Sequence, residues 1–441
     1  VNPLIVGIAT AVPTHSISQA QAAQVLIEAA GLSGNAADFA VAMHRRSGID
    51  RRGSVLLTDT PAADAVATND FFVRPEARVA PRDHKGPTTN DRMKQYAVHA
   101  PKLAGEAAEK AMRISRVNPA EITHLVTVSC TGFAAPGVDH ALIESLGMSR
   151  SVQRLQIGFM GCHGGIVGLR TAADLCRAAT VMGTPARVLL VCVELCSLHM
   201  QYSERPDQIV SAALFGDGAA AAVLTNVPAD LERSTSICPL ATGASLSLLL
   251  PESADLMGWL VGDHGFEMML GEHVPRVIAE NVGDGVRRLL AGMQSGWDAP
   301  GECAGWVIHP GGPKVLSAVA DALSLSTESM KPSREILRKH GNMSSPTVLF
   351  ILEELLATRA LEPTVGDAIQ RHAHDVQDVQ EVHGAQDAHA GGARHEHLGT
   401  SQATATATMN MAPSPIVMLA FGPGLTVEGL ALVHPGSQAT A

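Results

Sequence analysis

Aromatic residues are scarce in this chain: three Trp, two Tyr and nine Phe make up 3% of 441 residues. The core therefore cannot rest on ring packing and has to be built from Val, Leu, Ile, Ala and Met. Charged residues are also few, at 17% against 46% hydrophobic. That balance excludes a disordered chain or a long coiled coil and fits a well-buried globular enzyme. Basic residues are outnumbered, 32 to 43, for a net charge of −11. Bulk charge thus gives no reason to expect nucleic acid or an anionic membrane as partner, and an anionic substrate would have to meet a local basic patch. No apolar run reaches the length of about 18 residues that marks a membrane span. Val1–Pro13 has neither the charged start nor the cleavage signature of a secretory leader. Seven cysteines make no disulfide framework. Cys176, Cys192, Cys196 and Cys238 lie among apolar neighbours and read as small core residues. Cys192 and Cys196 have no second pair to complete a zinc site. The usage suits a reducing cytoplasm.

What is present alternates. Strand-like runs at Leu4–Ile8, His124–Ser129, Arg154–Ile157, Arg187–Val193 and Ala219–Leu224 are separated by helix-like stretches near Gln19–Ala30, Asp91–Arg113, Val138–Leu146 and Gly165–Met182. Helical character then reads at Phe266–Gly292, Gly312–Leu323, Arg334–His340 and Thr347–Arg359, with strands at Ala304–Ile308, Ile416–Ala420 and Val427–Leu432. This is the pattern of an α/β protein. One segment departs from it. Residues 363–413 shift to Ala, Gln, Asp, Thr, Gly and His, including His372, His374, His383, His389, His395 and His397. Composition favours a solvated, disordered insertion within a domain. A metal-binding loop is the sharper alternative, weakened by irregular His spacing and the lack of Cys.

The chemistry concentrates at three places. In Arg154–Gly165 a strand-like run enters a glycine-flanked cysteine and a helix follows, the form of a nucleophile elbow. Cys162 would sit at the positive end of that helix, where the thiolate is favoured. A buried structural cysteine in a tight turn is the competing reading. His309 ends an apolar strand and breaks into Pro-Gly-Gly-Pro, at the kind of strand end where α/β active sites form. Asn342 stands directly before a helix, where it would equally serve as a cap. Cys, His and Asn together form a recurrent set in thiol-based acyl chemistry.

With these residues in place the resemblance becomes specific. Ser129–Asp139 (SCTGFAAPGVD), Gly161–Gly165 (GCHGG), His309–Pro313 (HPGGP), Gly341–Ser345 (GNMSS) and Phe421–Glu428 (FGPGLTVE) occur in order. Together they resemble the type III polyketide synthases, the chalcone and stilbene synthase superfamily, with a bacterial character. The opening segments TAVPT (10–14) and RRSGIDRR (45–52) are also similar. The resemblance implies a thiolase-like five-layer αβαβα fold made of two related halves, placed here at residues 1–230 and 231–441. It implies a homodimer, acyl-CoA starter and malonyl-CoA as substrates, and no further cofactor or metal.

Carried over by motif, the resemblance makes Cys162 the acyl-carrying nucleophile and His309 and Asn342 its catalytic partners. It makes Phe215 and Phe266 the gatekeeper phenylalanines, and sets Gly258, Ser344 and Thr131 around the cavity. It assigns the basic residues Arg45, Arg46, Arg51 and Arg52, with Lys314, to the mouth of a CoA tunnel; a solvated charged helix end is the plain alternative for the arginines. His163 departs from the family pattern, which has a small or aromatic residue after the nucleophile. A β-ketoacyl-(acyl carrier protein) synthase III shares the fold and triad, and a catalytically inert thiolase-fold subunit is the remaining alternative.

Overall fold

The computed structural model describes residues 2–58, 70–72, 85–236, 238–293, 299–361 and 414–435. The His-rich segment lies outside the described residues.

Thirteen strands are described: β1 Leu4–Ala11, β2 Ser16–Ser18, β3 Arg51–Gly53, β4 His124–Ser129, β5 Gln153–Gly158, β6 Arg187–Leu195, β7 Asp217–Thr225, β8 Leu240–Leu249, β9 Met257–Gly262, β10 Gly265–Leu270, β11 Gly305–Ile308, β12 Ile416–Gly422 and β13 Thr426–Val433. The helices are α1 Gln19–Ala30, α2 Gly34–Arg46, α3 Thr89–Ser115, α4 Val138–Leu146, α5 Gly164–Val181, α6 Pro206–Leu214, α7 Ala229–Arg233, α8 Val274–Ala291, α9 Pro313–Leu323, α10 Lys331–His340 and α11 Thr347–Leu361. Several described elements were not read from the sequence, among them α2, α6, β8 and β9, and one stretch changes type. Leu240–Leu249 is a strand that periodicity did not reveal. The stretch read as a helix from Phe266 begins as strand β10, and its helix starts only at Val274.

Nine strands join in the order β11-β12-β13-β8-β1-β7-β6-β4-β5. The order repeats. In the first set β4 and β6 pair parallel, and β7 then pairs antiparallel with both β6 and β1. In the second set β11 and β12 pair parallel, and β13 pairs antiparallel with both β12 and β8. A short antiparallel contact, Leu4 with Ala241 and Ile5 with Leu240, joins the sets.

Side-chain alternation along these strands fixes the layering. In β6, Leu189, Val191, Val193 and Leu195 pack on one face into the core that holds α3, while Val188, Leu190 and Cys192 pack on the other with α5. Both faces are buried, which is why β6 reads as a continuous apolar run. Helix α5 touches β4, β6 and β7 of the first set and β12 and β13 of the second; α11 touches β1 and β7 as well as β11. These two helices are therefore the central layer between the strand sets. Helix α3 covers the outer face of the first set, and α8, packed on α9, that of the second. The result is the expected five-layer arrangement. Among the described residues no helix is long and apolar enough to cross a membrane, and no cluster of His, Cys, Asp and Glu could hold a metal ion.

Candidate active site

The turn that carries Cys162 is built at the end of β5. Phe159 and Gly161 take positive φ values of 60° and 64°, and a single 3-10 turn at Gly161–His163 leads into α5. Only glycine fits at 161: a Cβ there would stand 2.6 Å from Pro423 Cδ. The turn leaves Cys162 buried at 8% exposure. It lines two adjoining spaces, one with His309 and Asn342, the other with Thr131 and Ser344.

His309 follows β11, which pairs parallel with β12, and its N–H donates to Leu419 O at 2.9 Å. The ring is buried, and neither nitrogen has a hydrogen-bond partner among the described residues. Two orphaned buried nitrogens are costly unless a substrate completes them. Asn342 is pinned from both sides. Its backbone pairs with Leu214 and Gly216, and its side-chain Oδ1 accepts from Ser344 N–H at 2.8 Å. Nδ2 donates to Cys162 Sγ at 3.9 Å, and the thiol lies 4.0 Å from Oδ1. Ser344 itself is held at a φ of 59°, a conformation unusual for a residue with a side chain. The sequence placed Cys162, His309 and Asn342 as one set, and in the fold they line one cavity.

The electrostatics are those of a dry site. Burial pushes the Cys162 thiol up to about 11, against hydrogen bonds from Ser344 and Asn342. Burial, with His163 nearby, pushes His309 down to about 3. Both directions oppose a resting thiolate–imidazolium pair.

The other sequence-assigned residues divide. Phe215 lines both spaces at Cys162 and a larger cavity beyond them. Phe266 lines only the larger cavity; it is fully buried in a stack with His199, ring centroids 4.2 Å apart. The residue that shares all three spaces with Phe215 is Met268. Strand alternation explains the difference. Phe266, Met268 and Leu270 share one face of β10 and run from the outer cavity inward to the space beside Cys162 and His309. Gly258 on β9 faces the other way, toward Met269, while its neighbours Met257 and Trp259 line the cavities. Thr131 and Ser344 both border the space at Cys162, but the Thr131 hydroxyl is committed to Glu194 at 2.6 Å and Leu195 N at 2.9 Å.

The basic cluster also divides. Arg45 and Arg46 are exposed at the end of α2, and Lys314 is exposed in the first turn of α9. The two segments abut, since a Cβ at Gly48 would lie 3.6 Å from Pro313. Arg51 instead holds Ser16, through Oγ at 3.0 Å and O at 2.7 Å. Arg52 points inward at 8% exposure and donates to Ala212 O and Phe215 O, both at 2.6 Å. It is a brace for the Phe215 backbone rather than a surface cation.

Sequence reasoning missed Glu194. It is fully buried and accepts from Cys130 N at 2.9 Å, Thr131 Oγ1 and Ser345 Oγ at 2.6 Å each, and Ser129 Oγ at 3.3 Å. Burial raises its pKa while these donors lower it. The available signal was a lone carboxylate ending the apolar run of β6. Its effect is to fix the wall carrying Thr131 and Ser345 next to Cys162.

Comparison with known proteins decides what this site belongs to. The family model for the N-terminal domain of chalcone and stilbene synthases matches residues 75–228, and that for the C-terminal domain matches residues 243–369. The chain belongs to the chalcone and stilbene synthase family, the type III polyketide synthases. It is 32% identical over 361 residues to an alpha-pyrone synthesis polyketide synthase-like protein of Mycobacterium tuberculosis, covering 80% of this chain and 83% of that one. It is 37% identical over 260 residues to the 1,3,6,8-tetrahydroxynaphthalene synthase of Streptomyces peucetius subsp. caesius, covering 58% and 65%. Among solved structures, PKS-I of the brown alga Ectocarpus siliculosus matches with a TM-score of 0.74 at 26% identity, over 98% of each chain. CsyB in complex with CoA-SH matches at 0.75 and 25%, over 98% of this chain and 100% of that one. This type III polyketide synthase therefore has the thiolase-like fold expected from its motifs.

Proposed function

We propose that Cys162 carries an acyl starter as a thioester and that this enzyme extends it with malonyl-CoA, His309 and Asn342 being the other catalytic residues. The observation that carries this reading is the convergence of a buried thiol, an imidazole with both nitrogens unpartnered and an oriented amide N–H on one cavity. Burial disfavours separate charges here. The Cys162 proton therefore passes to His309 as Sγ attacks the acyl-CoA carbonyl, and leaves with the CoA thiol. Malonyl-CoA then breaks its bond to the carboxylate, releasing carbon dioxide. The electron pair stays on the remaining carbon as an enolate, whose oxygen is held by His309 and by Asn342 Nδ2. That carbon attacks the Cys162 thioester, the thiolate leaves, and the chain, two carbons longer, is on CoA. Reloading onto Cys162 begins the next round, and cyclisation ends in a pyrone or phenolic ring.

The outer cavity supports an aliphatic starter. Its walls include Leu26, Leu56, Leu57, Phe72, Met200 and Met268, and it opens toward Cys162 past Phe215 and Met268. The likeness to an alpha-pyrone synthesis relative supports an alkylpyrone or alkylresorcinol product. Arg45, Arg46 and Lys314, brought together on the surface, meet the CoA phosphates; a similar fold binds CoA-SH in CsyB. The reading needs no cofactor beyond the CoA thioesters.

The enzyme acts as a homodimer in this reading. Among the described residues strand β5 stands at the end of the sheet, and it carries Leu155 at 43% exposure, followed by Phe159 at 37% and Met160 at 37%. An open apolar edge is a ready template for the same edge of a second copy. None of its seven cysteines is joined in a disulfide, which fits a reducing compartment.

The test is product mass spectrometry with malonyl-CoA and acyl-CoA starters of increasing length, in parent enzyme and Cys162→Ala. Extended products that vanish in the variant are expected. Undiminished condensation by Cys162→Ala, or activity only with carrier-protein-linked malonyl groups, would overturn the reading.

A further inference from the structure

His163, directly after Cys162 in the chain, is a buried titratable residue that the mechanism does not use. It is 2% exposed, and its Nδ1 has no hydrogen-bond partner among the described residues. What it touches is the turn between β12 and β13. A Cβ at Gly422 would overlap the His163 ring, so the ring occupies the place where a side chain at 422 would begin. On the other side of the cysteine, Gly161 faces Pro423 so closely that a Cβ would lie 2.6 Å away. The residues before and after Cys162 are thus each seated on the Phe421–Gly424 turn. That turn is itself part of the site: Phe421 borders the space with His309 and Asn342, and Pro423 borders the space with Thr131 and Ser344. Strand β12 also holds His309 through the Leu419 carbonyl at 2.9 Å. One strand and its turn therefore fix the base at one point and the nucleophile turn at two.

We propose that His163 is a positioning residue, a wedge whose ring against Gly422 sets the direction of the Cys162 side chain relative to His309 and Asn342. The inference rests on Cys162 being the nucleophile. The wedge acts by shape and not by proton transfer. Burial, with Arg170 facing it, holds the ring neutral, its pKa pushed down to about 4. Arg170 is itself paired with Glu428 at 2.7 Å, and His309 is the other ionisable ring in range. Gly422 follows from the same argument: it lacks a side chain because the ring is there.

The experiment compares His163→Ala, His163→Gln, Gly422→Ala and the double variant His163→Ala with Gly422→Ala. Each is read by kcat and KM for malonyl-CoA extension and by the rate of Cys162 acylation from acyl-CoA. Removing the ring lets the thiol move by about 1 Å, so His163→Ala loses about a hundredfold in kcat and in acylation rate with little change in KM. Glutamine, close to histidine in volume and unable to protonate in this range, retains most of both. Gly422→Ala alone is impaired by the overlap, and the double variant recovers part of the loss. The proposal is overturned if His163→Ala acylates at the parent rate, if His163→Gln is as impaired as His163→Ala, or if the double variant is no better than the worse single one. Should His163→Ala not fold, His163→Gln and Gly422→Ala keep the site filled and decide the matter: retained activity in the first with loss in the second supports the wedge, and any other pairing sinks it. Absence of acylation at Cys162 in the parent enzyme would instead overturn the nucleophile assignment, a separate failure.

Discussion

Replacing Asn342 by aspartate changes one atom at the centre of the site. Oδ1 keeps its bond from Ser344 N–H at 2.8 Å, so the backbone at the strained Ser344 stays satisfied and no buried N–H is orphaned. What is lost is Nδ2, the donor 3.9 Å from Cys162 Sγ. Removing one donor to a developing oxyanion costs about 2.7–4 kcal/mol, a hundredfold to a thousandfold in rate. The loss should fall on decarboxylation and extension, where the enolate forms, and spare the loading of Cys162. Intact-protein mass spectrometry reads acyl-Cys162, and release of labelled carbon dioxide reads decarboxylation. At 1% exposure the new carboxyl group resists ionisation, and in its protonated form it donates again. Activity of Asn342→Asp should therefore recover as pH falls. Two results would refute the reasoning: extension within about tenfold of the parent, or loading that falls in step with extension.

Three further outcomes are expected. Met268→Phe places a rigid ring where all three cavities meet, so kcat/KM should fall about tenfold or more for long acyl-CoAs and change little for short ones; equal losses across the series would remove Met268 from the gate. With its thiol pushed up to about 11, Cys162 should react with iodoacetamide at a rate that keeps rising from pH 7 to pH 9, whereas a plateau near neutrality would show a preformed thiolate. Acid should destabilise the fold through its buried histidines, with a smaller opposing contribution from Asp217, whose carboxyl burial pushes up to about 6. Burial pushes His44 and His163 down to about 4 and His199 and His309 to about 3, so below the ordinary value of 6.5 the unfolded chain binds protons that the native one does not. Stability then falls as pH falls from about 6.5 toward 4, by about 1.4 kcal/mol per histidine at pH 5.5. A melting temperature unchanged between pH 7 and pH 5.5 would contradict this.

The grouping of Cys162, His309 and Asn342, and the family, were legible in the sequence because each is carried by a short backbone device. Gly161 permits the sharp turn at Cys162, an apolar strand breaks at His309, and Asn342 stands before a helix; such devices are local and leave a written pattern. The α/β class was legible for the same reason, since strands buried on both faces appear as unbroken apolar runs. Position 268 was not legible. Phe266 was assigned to the gate by the family resemblance alone, and the stretch from it to Gly292 read as helical. Only the observed strand, with side chains alternating along one face, shows that Met268 reaches the junction and Phe266 remains in the outer stack. The arginines make the same point. Four of them sit within eight residues of sequence, yet Arg52 turns inward to brace Phe215 and Arg51 to hold Ser16, while Arg45 and Arg46 stay at the surface. Glu194 and His163 depend wholly on contacts with residues distant in the chain: Ser345 for one, Gly422 for the other. Sequence determined which chemical groups are present and which short turns present them. Tertiary structure decided which of those groups face one another, because that depends on packing between segments far apart in the chain, on which local pattern is silent.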